Sequence, residues 1–212
     1  MRTKVAVLIS GRGSNLRALL QASADPGFPA EIALVVSNEP EAAGLSIARL
    51  ASVPVAVIDH RPFRGDRAAH EAAIHAALHG AGVRVVCLAG WMRRLTPHLV
   101  GLWRGRMLNI HPSLLPAFPG LDTHARALAA GAKLHGCTVH VVTEAVDDGP
   151  ILAQAAVPVL PDDTVERLAA RVLAAEHRLY PTALAAFLGL GTGPAPAETV
   201  LFNPLPLGLP SA

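Results

Sequence analysis

The chain has little cysteine, little net charge and no long apolar run. Cys87 and Cys137 are its only two cysteines in 212 residues, and both fall in apolar, strand-like segments without metal-type spacing. That excludes a disulfide scaffold and a cysteine metal cluster, and points to buried free thiols in a reducing compartment. Eighteen Lys and Arg against sixteen Asp and Glu leave a formal charge of +2, with no basic stripe for nucleic acid. No apolar run approaches the roughly 20 residues of a membrane helix. Met1-Arg-Thr-Lys4 leads directly into Val5–Ile9, too short for a secretory core, so a cytoplasmic location is expected. What is present is apolar residue content: 51% of the chain, which argues against disorder and suits a single domain with a substantial core.

The apolar residues come in short runs separated by helix-like segments. Val5–Ile9, 32–36, 55–58, 83–89 and 107–110 read as buried parallel strands, and 15–24, 41–52, 67–79 and 97–103 as helices. Thr96 and Pro97 are the expected cap and first residue of the fourth helix. This alternation predicts an α/β fold, a doubly wound, mostly parallel Rossmann-like sheet with ligands beyond the carboxyl ends of its strands. Residues 138–143 and 151–159 read as a hairpin or mixed extension of the sheet. Asp163-x-x-Glu166 is the expected capping box of a long helix toward Phe187, bent near Pro181. A domain over residues 1–188 is then followed by a Gly/Pro-rich tail, 189–212, with Val200–Phe202 as its only candidate edge strand.

Three segments carry chemistry. In Asn109-Ile-His111-Pro112 the two polar side chains project to one side of a strand, and Pro112 ends that strand. An amide donor and a titratable ring there suit a developing oxyanion and a proton transfer, although an isolated Asn-x-His is more often a strand-end histidine satisfied by backbone. Ser10-Gly11-Arg12-Gly13-Ser14-Asn15-Leu16 opens the first helix and suits a monophosphate on backbone N–H groups. Leu16 in place of a third glycine weakens the dinucleotide reading, a tight turn alone would also explain the glycines, and no G-x-S-x-G elbow makes Ser14 a nucleophile. Asp147-Asp-Gly149 reads alone as a turn. Placed near His111, Asp147 would raise the imidazole pKa.

Other candidates are weaker. His75 and His79 lack a metalloprotease glutamate and a third ligand, so they read as a solvated helix face. His140 could face the site or sit satisfied in the core, and the core reading is preferred. Gly90-Trp-Met-Arg-Arg-Leu95 serves equally well as an ordinary connection or as a pocket for a flat ligand.

Taken together, Ile9–Leu16, Leu88–Arg93, Leu108–Pro116, Gly120, His135-Gly136, Asp147–Ile151 and Glu176-His177 appear in an order that resembles the phosphoribosylglycinamide formyltransferases, within the folate-dependent formyltransferase superfamily. The likeness covers residues 4 to 188. It implies transfer of the formyl group of 10-formyltetrahydrofolate to the amine of glycinamide ribonucleotide in purine synthesis, without a metal. By the same resemblance Asn109, His111 and Asp147 are catalytic. Gly11, Gly13, Ser14, Asn15, Gly90, Pro112 and Glu176 hold the phosphate and ribose side. Arg67, Met92, Arg93, Arg94, Leu95, Asn109 and the loop Thr143, Glu144, Ala145, Val146, Asp147 line the folate side. Leu173 departs from relatives that carry lysine near the phosphate. The expected partners are small-molecule substrates, neither nucleic acid nor membrane, with a homodimer left open. A formyltetrahydrofolate hydrolase, an initiator-tRNA formyltransferase and an inert nucleotide-binding module are the alternatives. The glycine turn disfavours the first, the lack of a basic surface the second, and the Asn109, His111, Asp147 set the third.

Overall fold

The computed structural model of the protein describes residues 2–189; the candidate strand 200–202 and nearly all of the tail lie outside them. Seven strands form one sheet: β1 (Thr3–Ile9), β2 (Ala30–Ser37), β3 (Val55–Val57), β4 (Val85–Leu88), β5 (Met107–His111), β6 (Leu134–Val141) and β7 (Ile151–Pro158). Their spatial order is β3-β2-β1-β4-β5-β6-β7. The first five pair in parallel, and β6 and β7 are antiparallel additions.

The helices are α1 (Ser14–Ser23), α2 (Ala43–Leu50), α3 (Arg67–Gly80), α4 (Pro97–Leu102), α5 (Thr123–Ala129) and α6 (Val165–Gly189). Alternation along β1 explains how they pack. Val5, Val7 and Ile9 join one core with residues of α1, α2 and α6, whereas Ala6 and Leu8 join a second core with residues of α3 and α4. A strand covered on both faces must be apolar at every position, which is why β1 has no polar residue from Val5 to Ile9. Strand order reverses between β1 and β4, so the crevice at their carboxyl ends lies at a topological switch point.

Several local expectations need correction. Residues 123–129 form an unanticipated helix, and Arg61–Phe63 a 3-10 turn. Strand β6 begins four residues earlier than the run from Thr138 suggested and stops at Val141, before Thr143. Asp163 does not cap α6. Thr164 Oγ1 accepts the Arg167 N–H at 3.3 Å, while Asp163 accepts the Leu160 N–H and two bonds from Arg171. The guanidinium of Arg171 competes successfully for the carboxylate because a bidentate, charge-assisted pair outweighs a single cap bond. Thr96 holds the cap position of α4, but its hydroxyl donates to Glu71 instead of accepting a helix N–H. His75 is only half solvated, since its ring packs edge-on against Trp103 at 6.0 Å.

Candidate functional site

The sheet register assembles the site. Leu8 aligns with Leu88 and Leu88 with Asn109, so the turn after β1, the loop after β4 and the end of β5 lie side by side. On the other side Asn109 aligns with His140 and His111 with Thr138. A β-bulge separates Val139 from His140, a device that re-aims a side chain next to a site.

Four polar side chains meet there. His111 Nδ1 lies 3.4 Å from Asp147 Oδ2, and His140 Nε2 lies 3.7 Å from Asp147 Oδ1 and 3.2 Å from Asn109 Nδ2. Gly149 makes the return of this loop possible: a Cβ there would stand 1.7 Å from the Val141 carbonyl oxygen. The turn at residues 147–149 is thus the same feature that brings Asp147 to His111. Val141 N–H also donates to the Pro150 carbonyl, closing the loop behind Asp147.

The chain that follows His111 supplies further partners. His111 Nε2 lies 3.2 Å from the Phe118 carbonyl oxygen, and the Gly120 N–H donates to Asp147 Oδ2 at 2.9 Å. Thr138 Oγ1 donates to the Ser113 carbonyl and accepts from Leu115 N–H, and Gln154 Nε2 donates to both Leu115 O and Thr138 Oγ1. These buried bonds tie the segment after Pro112 to β6 and β7.

Burial, the largest influence on His111, pushes its pKa down; the Asp147 charge and the Phe118 carbonyl oppose this, and the net result is below the ordinary histidine value. Asp147 raises the ring pKa as its placement suggested, but desolvation of the cation outweighs the carboxylate and sets the net direction. For Asp147, burial pushes the carboxyl up, but the His140 ring, the Gly120 N–H and the attraction of His111 together hold it below its ordinary value. His140, preferred as a core histidine from the sequence, belongs to the polar cluster. Its register opposite Asn109 is the signal that places it there.

At the first turn Gly13 caps α1 with φ 73°. A Cβ there would meet Gly44 Cα at 2.6 Å, and Gly44 N–H donates to the Gly11 carbonyl. The tight-turn account of Gly13 is therefore correct as far as packing goes. It leaves α1 without a side-chain cap or an acidic residue in its first turn, so the amino-terminal N–H groups stay suited to an anion. Asn15 is buried and donates to Glu176 Oε2 at 2.7 Å, with its own Oδ1 buried and unpartnered. Burial pushes the Glu176 carboxyl up, against the Asn15 hydrogen bond. Leu173, half-buried one turn earlier on α6, adds no cation.

Arg67, Met92, Arg93 and Arg94 line one recess of about 210 Å³. Two contacts hold the loop that forms its wall. Met92 N–H donates to Ser10 Oγ, linking it to the first turn, and Thr96 N–H donates to the buried Glu71 carboxylate at 2.8 Å. Neither Ser10 nor Glu71 stood out in the sequence, since a serine before glycine and a glutamate in a helix have many ordinary uses. Leu95 packs against the second core rather than lining the recess. Gly90 takes φ 75° and accepts from Ser10 N–H through its carbonyl. Pro112 is half-buried directly after His111. In the loop to Asp147, Thr143 Oγ1 bonds the Ala145 carbonyl, Glu144 faces Arg104 at 3.6 Å, and Val146 is exposed.

The formyl transferase family profile matches residues 3–184. Phosphoribosylglycinamide formyltransferase of Haemophilus influenzae is 44% identical, over 84% of this chain and 84% of that protein. Trifunctional purine biosynthetic protein adenosine-3 of Drosophila melanogaster is 50% identical over 87% of this chain, which spans only 14% of that longer protein. The crystal structure of phosphoribosylglycinamide formyltransferase from Brucella melitensis superposes with a TM-score of 0.85 at 57% identity, covering 88% of this chain and 96% of that one. The chain belongs to the formyl transferase family, on its phosphoribosylglycinamide formyltransferase branch.

Proposed function

We propose that the protein transfers the formyl group of 10-formyltetrahydrofolate to the amine of glycinamide ribonucleotide, a step of purine synthesis. The observation that carries this reading is the convergence of Asn109, His111, His140 and Asp147 on one sheet face beside an uncapped helix terminus. The substrate amine attacks the formyl carbon, forming a C–N bond while the carbonyl oxygen takes the displaced electron pair. Collapse of that adduct breaks the bond to N10 of the folate, and the proton lost by the amine passes to N10.

An oxyanion of this kind calls for donors already in place. Asn109 offers Nδ2. His111 in its protonated form offers Nε2–H, whose 3.2 Å contact with the Phe118 carbonyl is at the long end of the N–H···O range and so is readily shared. In the free enzyme burial favours the neutral ring. Negative charge developing beside the ring shifts the balance toward the imidazolium, and Asp147 on Nδ1 supports that form. The helix α1 terminus at Gly13, Ser14 and Asn15 receives the phosphate, Glu176 the ribose side. The recess of Arg67, Met92, Arg93 and Arg94 receives the folate.

Small molecules are the partners in this reading, with one catalytic domain over residues 1–188; homodimer formation is open to sedimentation analysis. The reading is tested by following formyl loss from 10-formyltetrahydrofolate with and without glycinamide ribonucleotide. Turnover that depends on the acceptor is expected. Equal rates in the two arms would assign the chain to hydrolysis instead.

A further inference from the structure

Both backbone groups that hold the His111 and Asp147 side chains come from one short loop. Phe118 supplies the carbonyl facing His111 Nε2, and Gly120 supplies the N–H bound by Asp147. That loop is unusual. Phe118, Gly120 and Asp122 all have positive φ, at 54°, 80° and 56°, and two of the three are not glycine, so the conformation persists only if its surroundings impose it.

Arg126 is placed to impose it. It lies in the first turn of α5, where its backbone N–H donates to the Asp122 carbonyl, and a helical side chain leans back over the preceding turn. Its Nη1 donates to the Pro119 carbonyl at 2.5 Å and reaches the Leu121 carbonyl at 3.3 Å. Its guanidinium carbon stands 5.7 Å from the centre of the Phe118 ring. One side chain therefore touches residues 118, 119 and 121, flanking both groups that contact the polar cluster. Among the described residues Arg126 forms no ion pair, and both of its side-chain hydrogen bonds go from Nη1 to the loop.

We propose that Arg126 is a positioning residue for formyl transfer, a clip that fixes the loop 118–122 and through it the orientation of His111 and Asp147. This rests on the function proposed above. The clip acts through backbone carbonyls and an aromatic face, so the planar fork of arginine is the suited group, and lysine replaces it only in part. Because Arg126 is exposed to solvent, its loss leaves the cores intact and free guanidinium ion can enter its place.

The experiment measures kcat and KM for both substrates in Arg126→Ala, Arg126→Gln and Arg126→Lys, with thermal midpoints alongside. A misplacement of reacting groups by about 1 Å costs up to about 100-fold in rate. Arg126→Ala and Arg126→Gln are accordingly expected to lose about 10- to 100-fold in kcat with KM values and midpoint little changed. Arg126→Lys recovers part of the loss, and millimolar guanidinium ion restores part of the Arg126→Ala rate. Wild-type kcat in Arg126→Ala overturns the clip, as does a change confined to KM, which would indicate direct ligand contact. A kcat loss that follows the thermal midpoint and ignores guanidinium overturns it also. His111→Ala is the control: if it stays active, the site reading fails and the clip with it, whereas an inactive His111→Ala beside a fully active Arg126→Ala removes the clip alone.

Discussion

His111 and Asp147 face each other at 3.4 Å, both with side chains less than a tenth exposed, yet the histidine sits below its ordinary pKa. Burial disfavours the imidazolium more than one carboxylate favours it. Burial thus biases the ring toward its neutral form, while Asp147 works in the opposite direction.

Asp147→Asn removes the strongest influence raising His111, so the His111 pKa is expected to fall further. The limb of activity that requires the protonated ring then moves to lower pH. Removing one oxyanion-stabilising group typically costs about 10²- to 10³-fold in kcat, and His111→Ala combined with Asp147→Asn should lose far less than the product of the single losses. A histidine NMR titration of both proteins checks the electrostatic step, and an unchanged His111 pKa would sink it.

Gly11 and Gly13 should respond differently to a methyl group. Nothing lies within 4 Å of a Cβ built at Gly11, whereas one at Gly13 collides with Gly44 and requires φ 73°. Gly13→Ala should lose about 1–3 kcal/mol from backbone strain alone, with more from the contact, so it reports on folding as well as on phosphate binding. Gly11→Ala should fold normally and raise the KM for glycinamide ribonucleotide with little effect on folate. Denaturant titrations and steady-state kinetics decide; equal stability of the two variants would contradict the packing described here.

Glu71 holds the recess wall from behind. With Glu71→Ala the half-buried Thr96 N–H loses its acceptor, at a cost of about 0.5–1.5 kcal/mol, and the loop from Met92 to Thr96 is released from α3. Since about 1.4 kcal/mol corresponds to tenfold in affinity, the folate KM should rise about tenfold while that for glycinamide ribonucleotide changes little. A folate KM equal to wild type would show that the wall stands without this anchor.

Acid should destabilise the fold through a buried histidine. His135 is pushed down from 6.5 to about 4, first by burial and then by the charges of His124 and His111. Between those values the unfolded chain binds more protons than the folded one, so stability falls as pH drops from about 6.5 to about 4. Guanidinium denaturation at pH 7 and pH 4.5 should show that loss, and His135→Gln should reduce it. Equal stability of the wild type at the two pH values would refute the linkage.

By itself the sequence determined the strands, the glycine turn, the Asn109 and His111 pairing on one face, and the family. Each of those rests on neighbours in the chain: period-two alternation, β-branched runs buried on both sides, a proline that ends a strand. Helix α5 escaped because seven residues among loops carry too little periodicity to register. Arg126 escaped because its contacts, though only five and seven residues back, depend on the positive-φ path of that loop; His140, Glu71, Thr138 and Gln154 escaped for another reason. Their partners are 25 residues away in sequence for Glu71 and Thr96, and 31 for His140 and Asn109, and a residue's own type does not reveal which strand lies opposite. The sign of the His111 shift likewise required the tertiary structure. A nearby aspartate can be guessed from sequence spacing, but how much water the fold removes from the ring depends on packing from β5, β6 and two loops at once, and here that desolvation outweighs the attraction.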